Sequence, residues 1–298
     1  MPNVREIRSR IKSVNDIMKI TNAMYLISSS KMKKAKQKLA NTEPYFYTLQ
    51  NTIAHILKHT PHTSNLFFHR RDEIPNDKRK KGYIIITGDK GLAGAYNHNV
   101  LKLAEQEIAK GGIPKLFIIG QVGRMYFAHR GIPYEAYFQY TAQNPNMYRA
   151  RKISELIIEQ FLNEELDDVY VIYTDMLTAM KEEPKVLQIL PFRRERFEHV
   201  KRGEHHEIHH TATFDPSPEV VMDHLVPNYA KGLLYGAMVE AYCSENHARM
   251  MAMDSATKSA KDMIQRLNLT YNRARQSAIT QEITEIVSGA KSLNKDSE

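Results

Sequence analysis

The sequence has a single cysteine and no long apolar run, and these absences argue against a disulfide-rich protein and against a membrane-spanning one. Cys243 is the only cysteine among 298 residues, so an internal disulfide framework is excluded and a reducing compartment is expected. No stretch approaches the ~18 apolar residues of a membrane-spanning helix, and the charged N-terminus lacks the apolar core of a secretory signal. These absences predict a soluble chain that is not exported, with Cys243 as a small buried hydrophobe rather than a nucleophile.

Glycine and proline are missing from two long intervals, which permits two unbroken helices. The first interval covers residues 3–43, about 60 Å of helix, and the second lies between Gly236 and Gly289, about 80 Å. Pro44 is able to kink or interrupt the first helix, but residues 45–59 keep a helical spacing of apolar residues and are expected to continue it.

Both intervals carry an apolar stripe whose steps alternate between three and four residues, as in a coiled-coil seam. The first stripe consists of Val4, Ile7, Ile11, Val14, Met18, Thr21, Tyr25, Ser28, Met32, Ala35 and Leu39. The second consists of Val239, Cys243, Asn246, Met250, Met253, Thr257, Ala260, Ile264, Leu267, Tyr271, Ala274 and Ala278. Two such helices at opposite ends of one chain run antiparallel if they pair with each other.

Between these helices, short apolar runs alternate with amphipathic segments. Strands are expected at residues 83–86, 116–119, 169–173 and 186–190, and helices at 97–109, 121–129 and 146–165. Continuous apolar strands separated by helices are typical of a parallel sheet covered on both faces. The sequence therefore predicts an α/β fold: a long antiparallel coiled coil of N- and C-terminal helices (residues 1–60 and 215–290) plus a central Rossmann-like α/β domain (residues 82–192).

The net charge of +8 at pH 7 favours an acidic partner, whether nucleic acid, an anionic membrane surface or an acidic protein. Two functions compatible with the elements described so far are an α/β nucleotide-dependent enzyme with dimerising helical ends and a nucleic-acid-binding coiled coil. The second lacks a base-reading motif.

Residues 87–94 (TGDKGLAG) follow a predicted strand and precede a predicted helix, where phosphate-binding loops lie. The glycines are three residues apart, so the segment is neither a GxGxxG fingerprint nor a P-loop. A tight turn or a partner-contact loop is the preferred interpretation.

Five histidines in a polar stretch raise the question of a metal site. They are His199, His205, His206, His209 and His210. Because no cysteine or ordered flank accompanies them, a hydrated linker is favoured over a metal site. No Ser-His-Asp set or HExxH motif is present, so no catalytic, cofactor-binding or metal-binding residue is predicted.

The two ends of the chain carry signals that are far more specific than these motifs. The N-terminal end contains IRSRIKSV and KITNAM within residues 7–24, and the C-terminal end contains ENHARMMAMDSAT and YNRARQSAITQEI within residues 245–283. Between them, the loop GDKGLAG at residues 88–94 agrees with the same family. In their order along the chain they resemble the gamma subunit of bacterial-type F-type (F1Fo) ATP synthases. The loop departs from the family's Asp-Arg-Gly-Leu-Cys-Gly, because Lys90 replaces an arginine and so loses its planar fork of donors, and Ala93 replaces a cysteine.

The resemblance implies a non-catalytic rotor shaft without a cofactor. The coiled coil would stand inside the alpha3beta3 hexamer, and the α/β domain would bind the epsilon subunit and the c-ring of Fo. The chain would be a peripheral protein at the cytoplasmic face of the cell membrane, with no nucleic acid partner. With Cys243 alone, the redox disulfide of chloroplast gamma subunits cannot form.

The resemblance also implies roles for individual residues in the shaft and in contact with the beta subunit. They are Ser13, Met24, Lys90, Arg249, Arg275, Gln276, Thr280 and Glu282. Arg275 and Gln276 would engage acidic loops of the beta subunits, and Met24 and Arg249 would lie together in the shaft.

Pairing Met24 with Arg249 predicts how far the second helix extends beyond the first. If both helices rise equally, Met1 lies opposite position 272. A stripe of isoleucines beyond that point then has no partner in the same chain: Ile279, Ile283 and Ile286. This stripe is predicted to be exposed in the chain alone and to form a bearing tip within an apolar collar of alpha and beta subunits.

Overall fold

The computed structural model describes residues 4–60, 65–69, 71–176, 182–198, 214–215 and 217–295, with side chains to residue 288. The chain divides into two compact units. The first joins Met1–Ser28 to Arg249–Glu298, and the second is Ser29–Ala248. The five histidines of residues 199–210 lie outside the described residues. The predicted domain ranges stay predictions.

The elements form a mixed α/β chain with one long helix towards each end, and the predicted fold class is confirmed. The helices are α1 (Val4–His59), α2 (Tyr96–Ile108), α3 (Gln121–His129), α4 (Met147–Leu162), α5 (Glu195–Glu198) and α6 (Pro218–Lys295), with a 3-10 turn at Leu66–Phe68. The strands are β1 (Lys80–Ile86), β2 (Ile113–Ile119), β3 (Asp168–Met176) and β4 (Glu182–Leu190). No helix within these described ranges combines the length and apolarity needed to cross a membrane.

Helix α1 continues through Pro44 to His59, as the helical spacing of residues 45–59 predicts. Pro44 is exposed, and its missing N–H removes a single hydrogen bond from the helix. The Thr48 hydroxyl donates to the Pro44 carbonyl at 2.9 Å. The packing of buried Leu49, Ile53 and Ile56 beyond the proline offsets the local cost.

Helix α6 begins well before the interval that is free of glycine, and it contains Pro227, Gly232 and Gly236. Gly232 is required by packing, because a Cβ atom there would come within 2.1 Å of the Phe46 ring of α1. Further along the same pair of helices, the Cys243 sulfur lies 4.0 Å from the Met32 carbonyl oxygen. Partner numbers fall on α6 as they rise on α1, so the two helices are antiparallel in the second unit.

The four-stranded sheet has the order β2-β1-β3-β4. Strand β1 pairs in parallel with β2 and with β3, whereas β4 pairs antiparallel with β3. The expectation of a wholly parallel sheet is therefore wrong for β4. A connection of five residues from Met176 to Glu182 is too short for a parallel crossover and suits a hairpin.

Helices cover both faces of the sheet. On one face, Ile85, Ile118 and Ile172 pack with Val100 of α2 and Phe127 of α3. The other face belongs to the larger core, where side chains of α1, α4 and α6 surround the strands. That core includes Ile84, Phe117, Val171, Ile53, Ile153, Ile157, Leu234 and Met238. Burial on both faces explains why β1, β2 and β3 are almost continuously apolar.

In the first unit, the seam between α1 and α6 contains a polar contact: the hydroxyl oxygens of Thr21 and Thr257 lie 2.8 Å apart. The register predicted from Met24 and Arg249 would place position 252 opposite Thr21, so it is wrong by five positions here. If both helices rise equally from this contact, position 274 rather than 269 stands opposite Val4.

Candidate partner-binding surface

Among the described residues, no element covers the part of α6 that follows Ser277. The predicted seam positions Ile264, Leu267, Tyr271 and Ala274 are half-buried, as is Ser277. The predicted seam position Ala278 is exposed, as are all residues from 279 to 288. The isoleucines of the predicted tip are 44% (Ile279), 56% (Ile283) and 67% (Ile286) exposed. A patch of this kind on one helix is typical of a surface that a partner covers.

The polar candidates on α6 lie at the edge of this apolar segment. Arg275, Gln276, Thr280 and Glu282 are all exposed, and Ser13 is exposed on α1. Met24 and Arg249 are half-buried in the first unit. Five of these side chains are thus accessible to a partner, and the contact roles of all seven stay predictions.

A second apolar stripe on α1 was missed by the sequence reasoning. Ile17, Ile20 and Ile27 are 54%, 60% and 54% exposed, and Leu26 beside them is 60% exposed. The signal is present in the sequence, since steps of three and seven place the isoleucines on one helical face. The exposed stripe was overlooked because the residues of the α1 seam already explain the seven-residue pattern of the helix.

Basic residues surround this stripe. Arg5, Arg8, Arg10, Lys12 and Lys19 are exposed on the part of α1 that belongs to the first unit. The same segment carries two acids, Glu6 and Asp16, of which Asp16 pairs with Lys19 at 3.3 Å. The surface therefore combines exposed aliphatic side chains with excess positive charge, which suits a protein partner with acidic loops.

The loop of residues 87–94 is held firmly on its inner side. The Asp89 carboxylate accepts hydrogen bonds from the Gln121 and Ala142 backbone N–H groups, both at 3.1 Å, and from the Thr141 hydroxyl. The Asn97 side chain accepts from the Gly88 N–H at 2.8 Å. This anchoring leaves the Lys90 and Leu92 side chains exposed, as a contact loop requires.

The same loop is a poor place for a phosphate. A Cβ atom on Gly88 would lie 3.0 Å from the Oε1 atom of the buried Glu245 side chain, so that carboxyl group occupies the inner side of the turn. With Asp89 also in the loop, two carboxyl groups disfavour a second anion. The geometry therefore argues against nucleotide binding here.

The described residues offer no metal centre, since no three His, Cys, Asp or Glu side chains among them are placed to hold an ion. Burial raises the pKa of the Cys243 thiol to about 11, the largest cause being desolvation of the thiolate. A thiol that stays protonated at neutral pH is not an activated nucleophile.

Comparison with known proteins places this geometry in context. A family model described as ATP synthase matches residues 3–293. The ATP synthase gamma chain of Ruminiclostridium cellulolyticum is 45% identical over 292 residues, covering 98% of this chain and 99% of that protein. The "ATP synthase gamma chain, sodium ion specific" of Acetobacterium woodii is 38% identical over 306 residues, covering 98% and 99%.

Solved structures share the fold at lower identity. A chain of the Euglena gracilis mitochondrial ATP synthase (OSCP/F1/c-ring, rotational state 3) superposes with a TM-score of 0.65 at 14% identity, covering 99% of this chain and 96% of that one. A chain of the Tetrahymena thermophila mitochondrial ATP synthase central stalk and c-ring gives a TM-score of 0.57 at 21% identity, covering 80% and 99%.

Proposed function

The chain belongs to the ATP synthase gamma-chain family, and we propose that it is the rotating central shaft of an F1Fo ATP synthase. Its partners in this proposal are the alpha3beta3 hexamer, the epsilon subunit and the c-ring. The single observation that carries the proposal is the surface of the first unit. Aliphatic side chains that a free protein would bury lie outward on two long helices: Ile20 among basic residues of α1, and Ile286 on the exposed end of α6.

An asymmetric shaft gives this surface a mechanical role. Three catalytic sites of identical sequence acquire different nucleotide affinities only if each meets a different part of the shaft, because a contact shifts an equilibrium by its differential energy alone. Rotation then exchanges the three affinities in sequence. Arg275 and Gln276 supply directional hydrogen bonds to the beta subunits. The isoleucines at positions 279, 283 and 286 supply apolar contacts, which do not depend on one orientation.

The chain itself does no chemistry in this proposal. The loop at residues 87–94 has carboxyl groups where a phosphate-binding loop needs donors, and the Cys243 thiol stays protonated. The sheet-containing unit binds epsilon and the c-ring, so the chain sits as a peripheral protein at the cytoplasmic face of the membrane. Lys90 and Leu92, exposed on an anchored loop, form a further contact with the beta subunit.

A rotation experiment tests the proposal directly. Tyr137 is 99% exposed in the second unit, so Tyr137→Cys provides an accessible thiol, while Cys243 is buried. The variant is purified with its hexamer, the hexamer is fixed to a surface, and a bead is attached at position 137. ATP should drive unidirectional rotation of the bead in three steps per turn. A bead attached to an alpha subunit of the same preparation is the control and should stay still.

Two results would contradict the proposal. One is purification of the chain from membranes without alpha, beta and epsilon subunits. The other is hydrolysis of ATP by the isolated chain at a rate comparable to that of the complex, since the proposed shaft has no catalytic site.

A further inference from the structure

A buried polar cluster joins the β3–β4 hairpin to α6 within the second unit. The Ser244 hydroxyl of α6 donates to the Thr174 carbonyl of β3 at 3.2 Å. One turn along α6, the His247 ring is hydrogen-bonded to the Glu182 carboxyl group at the start of β4. The third link is between Glu240 of α6 and Asp175 of β3.

Glu240 is the unusual member of this cluster. Its carboxyl group interacts with the Asp175 carboxyl group and with the Tyr173 hydroxyl, yet its Oε2 atom is buried with no hydrogen-bond partner among the described residues. Asp175 is also bound by the Lys185 ammonium group, which lies 5.0 Å from the centre of the Tyr173 ring. One ammonium group therefore serves two adjacent carboxyl groups, and it is already paired with Asp175.

Two carboxyl groups in contact cannot both ionise without strong repulsion, so such a pair retains one proton. Desolvation, and then the charge of Asp175, raise the pKa of Glu240 to about 7. Burial of the Tyr173 phenol, and then the neighbouring charge of Glu240, raise the pKa of Tyr173, which keeps that hydroxyl a donor.

The other charged and titratable groups around Glu240 come from every element packed against it. They are Lys36 of α1, Glu182, Glu183 and Lys185 of β4, of which Glu183 is the ladder partner of Asp175, Arg196 of α5, and Cys243 and His247 of α6. Lys36 acts on the Cys243 thiol and Arg196 on Tyr173 and Tyr229, so neither is paired with the Glu240 carboxyl group in the described contacts.

We propose that the Glu240–Asp175 pair is a proton-controlled latch that fastens the β3–β4 hairpin to α6. With one shared proton, the two carboxyl groups hold the hairpin to the helix. Loss of that proton leaves two adjacent negative charges, one of them on a carboxyl group whose Oε2 atom is buried without a hydrogen bond in the described part of the chain. Their repulsion favours separation of the strands from the helix. The latch is independent of the proposed rotor function, although in a rotor it would loosen the shaft's globular part as the surrounding pH rises.

The sign of the pH dependence follows from the direction of the shift. A carboxyl group whose pKa is raised in the folded state stabilises the fold fully below its unfolded pKa, and this contribution is lost as the pH rises through the folded value. For Glu240 the loss runs from about pH 4.5 to about pH 7, and stability is then constant with respect to this group.

Hydrogen exchange of the full chain tests the latch. Backbone amide protection in β4 and in residues 236–247 is measured from pH 6 to pH 8.5 and corrected for the intrinsic exchange rate. The wild type should lose protection in both segments by about tenfold across this interval. Glu240→Gln, which donates to Asp175 without ionising, should change by less than twofold. Glu219→Gln, an exposed substitution on the same helix, should behave as the wild type.

His247 needs its own control, because histidine is the side chain that most often titrates near neutral pH. His247→Gln should keep the pH-dependent loss if Glu240 is responsible. If Glu240→Gln fails to fold, Asp175→Asn replaces it, since an asparagine amide donates to an ionised Glu240. A wild type with constant protection, or a loss that His247→Gln abolishes and Glu240→Gln leaves intact, overturns the proposal.

Discussion

Thr21 and Thr257 face each other across the seam of the first unit, with their hydroxyl oxygens 2.8 Å apart. Each oxygen also lies near a carbonyl of its own helix, Met18 at 3.0 Å and Met253 at 2.8 Å. The pair favours one register of the two helices, because a shift of either helix would separate the two hydroxyl groups. A buried polar pair is a known device for specifying coiled-coil register.

The threonine pair predicts non-additive substitutions. Thr21→Val and Thr257→Val should each lower the free energy of unfolding by about 1 kcal/mol, because each leaves one hydroxyl facing a methyl group. The double variant should cost less than the sum, since two methyl groups replace both hydroxyls. Urea unfolding measures all three. Thr270→Val is the control, because the exposed Thr270 hydroxyl donates only to its own helix, and additive costs would contradict the prediction.

Gly232 and Gly236 predict opposite effects of the same substitution. Gly232→Ala should destabilise the chain by about 1–3 kcal/mol, because its methyl group overlaps the Phe46 ring. Gly236→Ala has no atom within 4 Å of the new Cβ, so it should stabilise by up to about 1 kcal/mol through helix propensity. Thermal unfolding of both variants tests the pair. Restoration of stability by Phe46→Leu in the Gly232→Ala background would identify the ring as the cause.

The burial of Cys243 predicts slow labelling of its thiol in the native protein. With its pKa raised to about 11 by burial, the native thiol at pH 8 should react with iodoacetamide at least about a hundredfold more slowly than in urea. Mass spectrometry of a Ser30→Cys variant provides the comparison within one molecule, because position 30 is exposed on α1. If Cys243 and the thiol introduced at position 30 are labelled equally fast in the native protein, the core opens readily around Cys243 and the prediction is wrong.

Arg275 and Gln276 predict a functional loss without a loss of stability. The double substitution to alanine should reduce coupled ATP synthesis roughly tenfold, the value of one or two charge-assisted contacts, while the unfolding midpoint of the chain stays unchanged because both side chains are exposed. The matched control is Gln265→Ala with Arg266→Ala, another exposed pair on α6. Normal synthesis in a fully assembled Arg275/Gln276 variant would remove these residues from the contact.

The exposed isoleucines predict an effect on the complex alone. Serine at positions 279, 283 and 286 should change the unfolding free energy of the free chain by less than about 0.5 kcal/mol per site, since the native side chains are already exposed. In the assembled complex, the serine variant should dissociate from the hexamer at a lower urea concentration than the wild-type chain does. Ile264→Ser, at a half-buried seam position, should instead destabilise the free chain.

Local sequence signals were sufficient where one element decides its own structure. The apolar runs at β1, β2 and β3 and the glycine-free interval of α6 specified strands and helix from their residues alone. They were insufficient where packing decides. Pro44 and Gly232 are unfavourable inside a helix, and the local signal alone does not show that buried contacts outweigh this cost and let α1 and α6 continue through them.

Direction and register were harder to predict than the existence of elements. Strand β4 begins at Glu182, four residues before the apolar run that signalled it, and because residues 182–185 are polar the connection from β3 looked longer than it is. Thr21 finds Thr257 because the helices meet at one particular offset, which equal heptads do not specify. Glu240 and Asp175 are distant in sequence, and only the folded chain brings these carboxyl groups together.

The unsupported end of α6 has a consequence for the strength of assembly. Six of the eleven residues from 278 to 288 are β-branched, namely Ile279, Thr280, Ile283, Thr284, Ile286 and Val287, and no tertiary packing supports them. A helix segment this short is marginal on propensity alone, so it should unwind transiently in the free chain. In the proposed rotor, a surrounding collar would have to order the helix as it binds, and that entropy would be subtracted from the energy of enclosing the isoleucines. The proposed contact would then be weak, which suits a contact that has to slip at every turn.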